Sequence, residues 1–290
     1  MKRIKILTVL LLVLTGCSGQ ENTVRFEGSL LRPDHEFRQT ACDVREGCYE
    51  VENEMEAAVL MVNLIDEGIR ETAIVSRKDL DMNKAFAYAL SAAPASFDLE
   101  YSIRPLMDQK ARLKIRMQIQ DEQAYLRNRE TAGKIVDQIR KIPDCDPVRE
   151  LHDWIVMNTC YDQQATELDD QQRSLSPSYH ASGVLELGKA TCSGYTEAYH
   201  LLLREAGIGS LKVSGNRMNH AWNLVDDGGQ MKYIDTTFDD PVPDVENAVR
   251  YDFYGMDEQT LQQNYIFDES TPLTLNRKET EAFFSYCYGK

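Results

Sequence analysis

Cys192, His220 and Asp235 are the residues of this chain whose types and spacing can do chemistry. A thiol beside an imidazole, with a carboxylate on the far side of the ring, makes an activated nucleophile. The ring takes the thiol proton, and the carboxylate fixes the ring's tautomer. Singly they carry little weight, because buried structural thiols are common and a lone strand histidine is usually a packing residue. Their weight comes from a shared geometry, which depends on the elements that hold them.

The run TCSGYTEAYHLLLREAG reads as a helix capped by Thr191, with Tyr195, Tyr199, Leu202 and Ala206 on one stripe and Gly207 as terminator. Cys192 then sits at the positive end of the helix, where negative charge on sulfur is favoured. The runs NHAWNLV and QMKYIDTTF read as two strands flanking Asp226, Asp227, Gly228 and Gly229, a hairpin signal. With Asp227 and Gly228 as the loop, His220 lies directly opposite Asp235, at hydrogen-bonding reach. A Gly228-Gly229 loop puts Thr237 opposite His220, and an Asp226-Asp227 loop puts Tyr233 there. Both leave Asp235 as a diagonal neighbour.

The stretches GVLELGKATCSGYTEAYHLLLREAGI, NHAWNLV and YIDTTFDDP, in that order, resemble the core of the transglutaminase-like superfamily. ELHDWIVMNTCYDQQA and RYDFYGMDEQTL resemble the segments before and after it, so the resemblance runs roughly over residues 148–290. It implies an α+β, papain-like thiol core in which a helix-start cysteine packs on an antiparallel sheet. Carried over by position, Cys192 is the nucleophile, His220 the general base and acid, and Asp235 the orienting carboxylate. Many members have Trp before the Asp-Asp-Pro, where this chain keeps an aromatic as Phe238. The implied enzyme attacks amide bonds through an acyl-enzyme thioester, as peptidase, amidase or cross-linking transglutaminase, on a protein or peptide. The rival is a binding module that uses the same fold without catalysis. The backbone N–H of Cys192 is one oxyanion donor by position, and no second donor is evident. Trp222 reads as core packing on the His220 face of its strand, and Asn223 as pointing to the other face.

The N-terminus, MKRIKILTVLLLVLTGC, has a basic start, a short apolar run and Leu14-Thr15-Gly16-Cys17, and so resembles a bacterial lipoprotein signal. This implies cleavage after residue 16, lipid on Cys17 and an exported chain anchored outside the cytoplasm. Removing residues 1–16 takes away Lys2, Arg3 and Lys5 and no acid, which moves the net charge from −15 to −18. So acidic a body repels nucleic acid and anionic headgroups, leaving the lipid as its membrane contact. Cys42, Cys48, Cys145, Cys160 and Cys287 are the other cysteines. Cys42 and Cys48 can close a small loop, whereas Cys145 and Cys160 can pair only if the helix between them is short or bent. No Cys-x-x-Cys or His-x-x-x-His spacing suggests a metal, and no cofactor is implied. Asp239, Asp240, Asp244 and Glu246 lack the pattern of a calcium loop and read as a solvated exit loop. His152, His180 and His200 read as structural or surface residues.

Four parts follow: a signal peptide at 1–16, a lipid-anchored tether at 17–30, a mixed α/β module at 31–120, and the thiol domain with its leading helices at 121–290. Within the module ENEMEAAVLMVNLIDEG and RKDLDMNKAFAYALSA read as helices, and ETAIVS, ASFDLEYSI and ARLKIRMQI as strands. A helix from about Glu122 to Ile142 leads to Pro143 and Pro147. Asp146 caps the next helix, on which Val148, Leu151, Ile155 and Thr159 recur around Trp154.

Overall fold

The computed structural model describes residues 22–40, 48–245, 248–271 and 273–289. The signal peptide, Cys17, Cys42 and Glu246 lie outside the described residues.

The chain builds a six-stranded sheet first. Its strands are β1 (Asn22–Val24), β2 (Phe37–Gln39), β3 (Cys48–Glu50), β4 (Glu71–Arg77), β5 (Phe97–Pro105) and β6 (Lys110–Ile119), in the order β1-β2-β3-β4-β6-β5. Only β3 and β4 run parallel. Pairing therefore begins at Asn22, inside the stretch read as tether. Two helices cover one face, α1 (Glu54–Asp66), capped by Asn53, and α2 (Met82–Ala92), capped by Asp81. On β6 the alternation holds residue by residue: Leu113, Ile115 and Met117 are buried while Lys114 and Arg116 are exposed.

Next come α3 (Glu122–Ile139) and α4 (Pro147–Asn158). Asp146 caps α4 by accepting from the Val148 and Arg149 N–H groups. The short β7 (Cys160–Tyr161), α5 (Asp170–Leu175) and β8 (Lys189–Ala190) follow, with β7 and β8 paired in parallel. Cys145 and Cys160, at either end of the 12-residue α4, carry unpaired thiols. The chain then forms α6 (Cys192–Ala206), ended by Gly207 at φ +83°. The second sheet has β9 (Ser210–Gly215), β10 (His220–Asp227), β11 (Gln230–Ile234) and β12 (Tyr254–Met256). It is antiparallel in the order β12-β11-β10-β9. Helices α7 (Glu258–Asn264) and α8 (Arg277–Tyr288) close the chain, the latter through an Asn276/Glu279 capping box. The architecture is α+β, as the sequence implies.

β10 is buried on both faces. Val225 packs with Ile234 and with side chains of α3, α4 and α6 in one core. Trp222 and Leu224 join the other core, which also holds Leu60 and Leu64 of α1, Ile115 of β6 and Phe283 and Phe284 of α8. The first sheet and its helices thus supply the apolar cover for the back of the second.

The β10–β11 turn corrects the directly opposed register. Asp227 pairs with Gln230 and Asn223 with Ile234, so Gly228 and Gly229 are the loop residues. Both have positive φ, +60° and +89°, the requirement of a type I′ turn that Asp227 would meet at steric cost. Asp226 accepts from the Gly229 N–H and locks this form. β11 ends at Ile234, four residues short of the strand expected to reach Phe238.

Candidate active site

Cys192 is the first residue of α6 and is 8% exposed. Thr191 occupies the cap position with extended backbone, but its hydroxyl donates to the Ser178 carbonyl rather than capping the helix. Its N–H donates to the same oxygen. The Ser178 segment is pinned in turn by Asp162, which accepts from the Ser178 hydroxyl at 2.8 Å and pairs with Lys189 at 3.1 Å. Gly194 makes this approach possible, since a Cβ there would meet the Ser178 carbonyl oxygen at 2.5 Å and the Ala190 Cβ at 2.9 Å.

His220 opens β10 opposite Gly215. Its Nε2 lies 2.6 Å from Asp235 Oδ2. The diagonal register therefore still delivers the contact, because Asp235 has left the sheet. It stands just after β11 at the head of a tight turn, where its Oδ1 accepts from the N–H groups of Thr237 and Phe238. The same turn lays the Phe238 ring on the imidazole, with centroids 4.1 Å apart and planes 13° from parallel. Trp222 stacks more distantly on His220, at 6.0 Å and 23°. Asn223 faces the other way and donates to the Thr196 carbonyl on α6.

Asp235 is fully buried and receives a further donor besides His220 and the two turn N–H groups. The Tyr265 hydroxyl donates to Oδ2 at 2.6 Å. Tyr265 follows α7, in a segment tied back to the β9–β10 loop by Asp268, which accepts from the N–H groups of Asn216 and Arg217. Sequence reasoning missed this tyrosine. It lies 30 residues beyond its partner, with no spacing that points to it.

Burial alone would hold the His220 imidazolium down, but hydrogen bonds to Asp235 and Cys192 and the charges of both outweigh it. The ring's pKa is lifted from 6.5 to about 9. Around neutral pH His220 is therefore a cation, bound to Asp235 on one side and to the Cys192 sulfur on the other. Tyr161 and Tyr179 stand near enough to feel any charge on that sulfur. Burial first, and then that charge, pushes the Tyr161 phenol up to about 12, so it stays a neutral donor.

The remaining histidines divide. His200 bonds the Ser210 hydroxyl and the Ala92 carbonyl, and complete burial pulls its pKa well below the ordinary value. His180 bonds the Ser174 carbonyl. His152 is buried between Asp153 at 2.8 Å and Asp239 at 3.2 Å. Asp239 and Asp240 are not in a solvated exit loop as expected. Both are buried, Asp239 against His152 and the Phe253 N–H, Asp240 against the Tyr195 hydroxyl. Among the described residues no group of three or more His, Cys, Asp and Glu is placed to hold a metal.

Solved structures resemble parts of the chain. In the crystal structure of a TGase the match covers 58% of this chain and 51% of that one, at 14% identity and TM-score 0.33. The chain thus spans about half the length of that enzyme. A Cytophaga hutchinsonii protein described as a putative cysteine protease matches over 53% of this chain and 68% of its own, at 12% identity and TM-score 0.29. The periplasmic domain of TgpA from Pseudomonas aeruginosa matches over 51% and 69%, at 16% identity and TM-score 0.26. No curated protein matches the chain in sequence. The family model for the Transglutaminase-like superfamily matches residues 132–234, a span that ends one residue before Asp235. From within α3 to the last residue of β11, with Cys192 and His220 inside it, the chain is similar to that superfamily.

Proposed function

We propose that the protein is a thiol enzyme of the transglutaminase-like kind that acts on carboxamide or peptide bonds. Residues 121–290 form its catalytic domain and residues 31–120 a supporting module. The observation that carries this reading is the single chain of contacts from Cys192 through His220 to Asp235, with a ring cationic at neutral pH. With the proton already on the His220 ring, the Cys192 sulfur forms a bond to the carbonyl carbon as the carbonyl π pair moves onto the oxygen. The resulting oxyanion lies by the Cys192 N–H at the helix start. Collapse breaks the C–N bond, His220 returns the proton to the departing amine or ammonia, and a thioester remains. Water then gives the acid, and an amine gives a new amide. Asp235 keeps the ring aligned throughout, and Tyr265 and the turn N–H groups hold Asp235 in place.

The Leu-Thr-Gly-Cys motif at 14–17 supports lipid attachment at Cys17 and a place outside the cytoplasm, facing protein or peptide substrates of the cell envelope. Among the described residues no helix is long and apolar enough to cross a membrane.

Iodoacetamide labelling of Cys192 near pH 7 is expected to be fast in the wild type and at least tenfold slower in His220→Ala. Equal, slow labelling of both would leave a binding module. Incubation with a glutamine peptide and a labelled amine then separates transfer, which incorporates the label, from hydrolysis, which releases ammonia or peptide without it.

A further inference from the structure

A cavity of about 230 Å³ opens one residue away from both Cys192 and His220, for Ser193 and Ala221 line it. It runs along α6 between β9, the edge strand of the second sheet, and α2. Half of its lining residues bear a hydroxyl, including Tyr179, Thr196 and Ser214. Its charged groups are Glu197 and Lys212.

These two form an unequal pair. Glu197 is well supplied: its Oε2 accepts from the Ser96 N–H and hydroxyl, and its Oε1 from the Ala181 N–H. His180 and Lys212 add positive charge, each at 3.7 Å. Burial opposes the charge on Glu197, but these partners outweigh it and hold the carboxyl down at about 2. Lys212 has no such company. Its ammonium has three hydrogens to donate and a side chain only 14% exposed. Glu197, its one ion-pair partner among the described residues, stands beyond hydrogen-bond length. Burial pulls the lysine's pKa down and Glu197 only partly restores it. An ammonium in this position has donors to spare and an open cavity beside it.

We propose that this cavity is a substrate subsite and that Lys212 there receives a carboxylate carried by the peptide next to the reactive amide. The proposal rests on the thiol-enzyme reading for the identity of the peptide, and the rise along α6 suits it. Glu197 lies five residues along α6 from Cys192, a rise of ~7.5 Å. One extended residue and its side chain span that length. A glutamate or aspartate adjoining a glutamine or scissile bond thus reaches Lys212 while its neighbour's carbonyl sits on the sulfur. Neutral peptides leave the lysine unanswered and bind more weakly.

The test is calorimetric titration of three peptides into Cys192→Ala, which binds without turnover. One has glutamate immediately before a central glutamine, one has it immediately after, and one has glycine at both places. At least one acidic peptide is expected to bind about tenfold more tightly than the neutral one. Lys212→Gln should abolish the preference, so that the acidic and neutral peptides bind with equal affinity. Because Ser214 is exposed on β9, Ser214→Glu folds safely and should weaken the acidic peptide alone. Equal binding of all three peptides, no measurable binding of either acidic one, or a preference that survives Lys212→Gln overturns the subsite. Turnover without acid preference sinks the subsite and spares the enzyme. Acid preference in a protein that never turns over does the reverse.

Discussion

At the level of single residues the protein keeps a charge pair in the dry. His220 has a side chain only 7% exposed, yet Asp235 and Cys192 together make its protonated form the favoured one. A ring whose pKa rises from 6.5 to about 9 on folding contributes stability that is whole below pH 6.5 and is lost as pH climbs through 9. The shift corresponds to about 3 kcal/mol. Melting temperature should therefore fall by several degrees between pH 6.5 and 9.5 in the wild type, and the fall should be markedly shallower in His220→Gln. Parallel curves would mean that the ring is not an imidazolium. The residue types at this centre were legible because a helix cap, a hairpin and a motif agreed. Tyr265 was not, since its claim on Asp235 is made only by the folded path of the chain. Nor were the partners of Asp239 and Asp240: a run of acids locally reads as solvated, and His152 and Tyr195 are remote in sequence.

Among the elements, the start of α6 is the most constrained. Thr191, Ser178, Asp162 and Lys189 form a clasp around the turn that carries Cys192, and Gly194 leaves room for it. Gly194→Ala would favour the helix by about 1 kcal/mol in isolation. Here it forces the Ser178 carbonyl away, and the site should lose more than it gains. We expect Gly194→Ala to be destabilised by about 1–3 kcal/mol in urea melts, and its Cys192 to be labelled at least tenfold more slowly. A variant as reactive and as stable as the wild type would show that the clasp is loose. The helices and most strands were readable from caps and periodicity, and on β6 the alternation was exact to the residue. The hairpin register was not readable, because three loops were compatible with the local sequence. Two adjacent glycines free to take positive φ decided it.

Over the whole molecule the two sheets are not independent. Trp222 and Leu224 on the back of β10 lie in one core with α1, β6 and α8. A strand buried on both faces shows no alternation that names its second partner, so this union was hidden in the sequence. Residues 121–290 expressed alone would expose that face. Such a fragment should bind hydrophobic dyes and melt without a cooperative transition, whereas the chain from residue 22 onward melts as one unit. A sharp thermal transition in the fragment would contradict the shared core.

Trp222 also makes the centre visible to an optical experiment. The chain has only two tryptophans, and Trp154 can be replaced by phenylalanine, which leaves one indole stacked on the imidazole. A cationic ring beside an indole quenches its emission and a neutral ring does so far less. The protonation state of His220 can thus be followed by fluorescence, in real time, as pH is changed or a peptide is added.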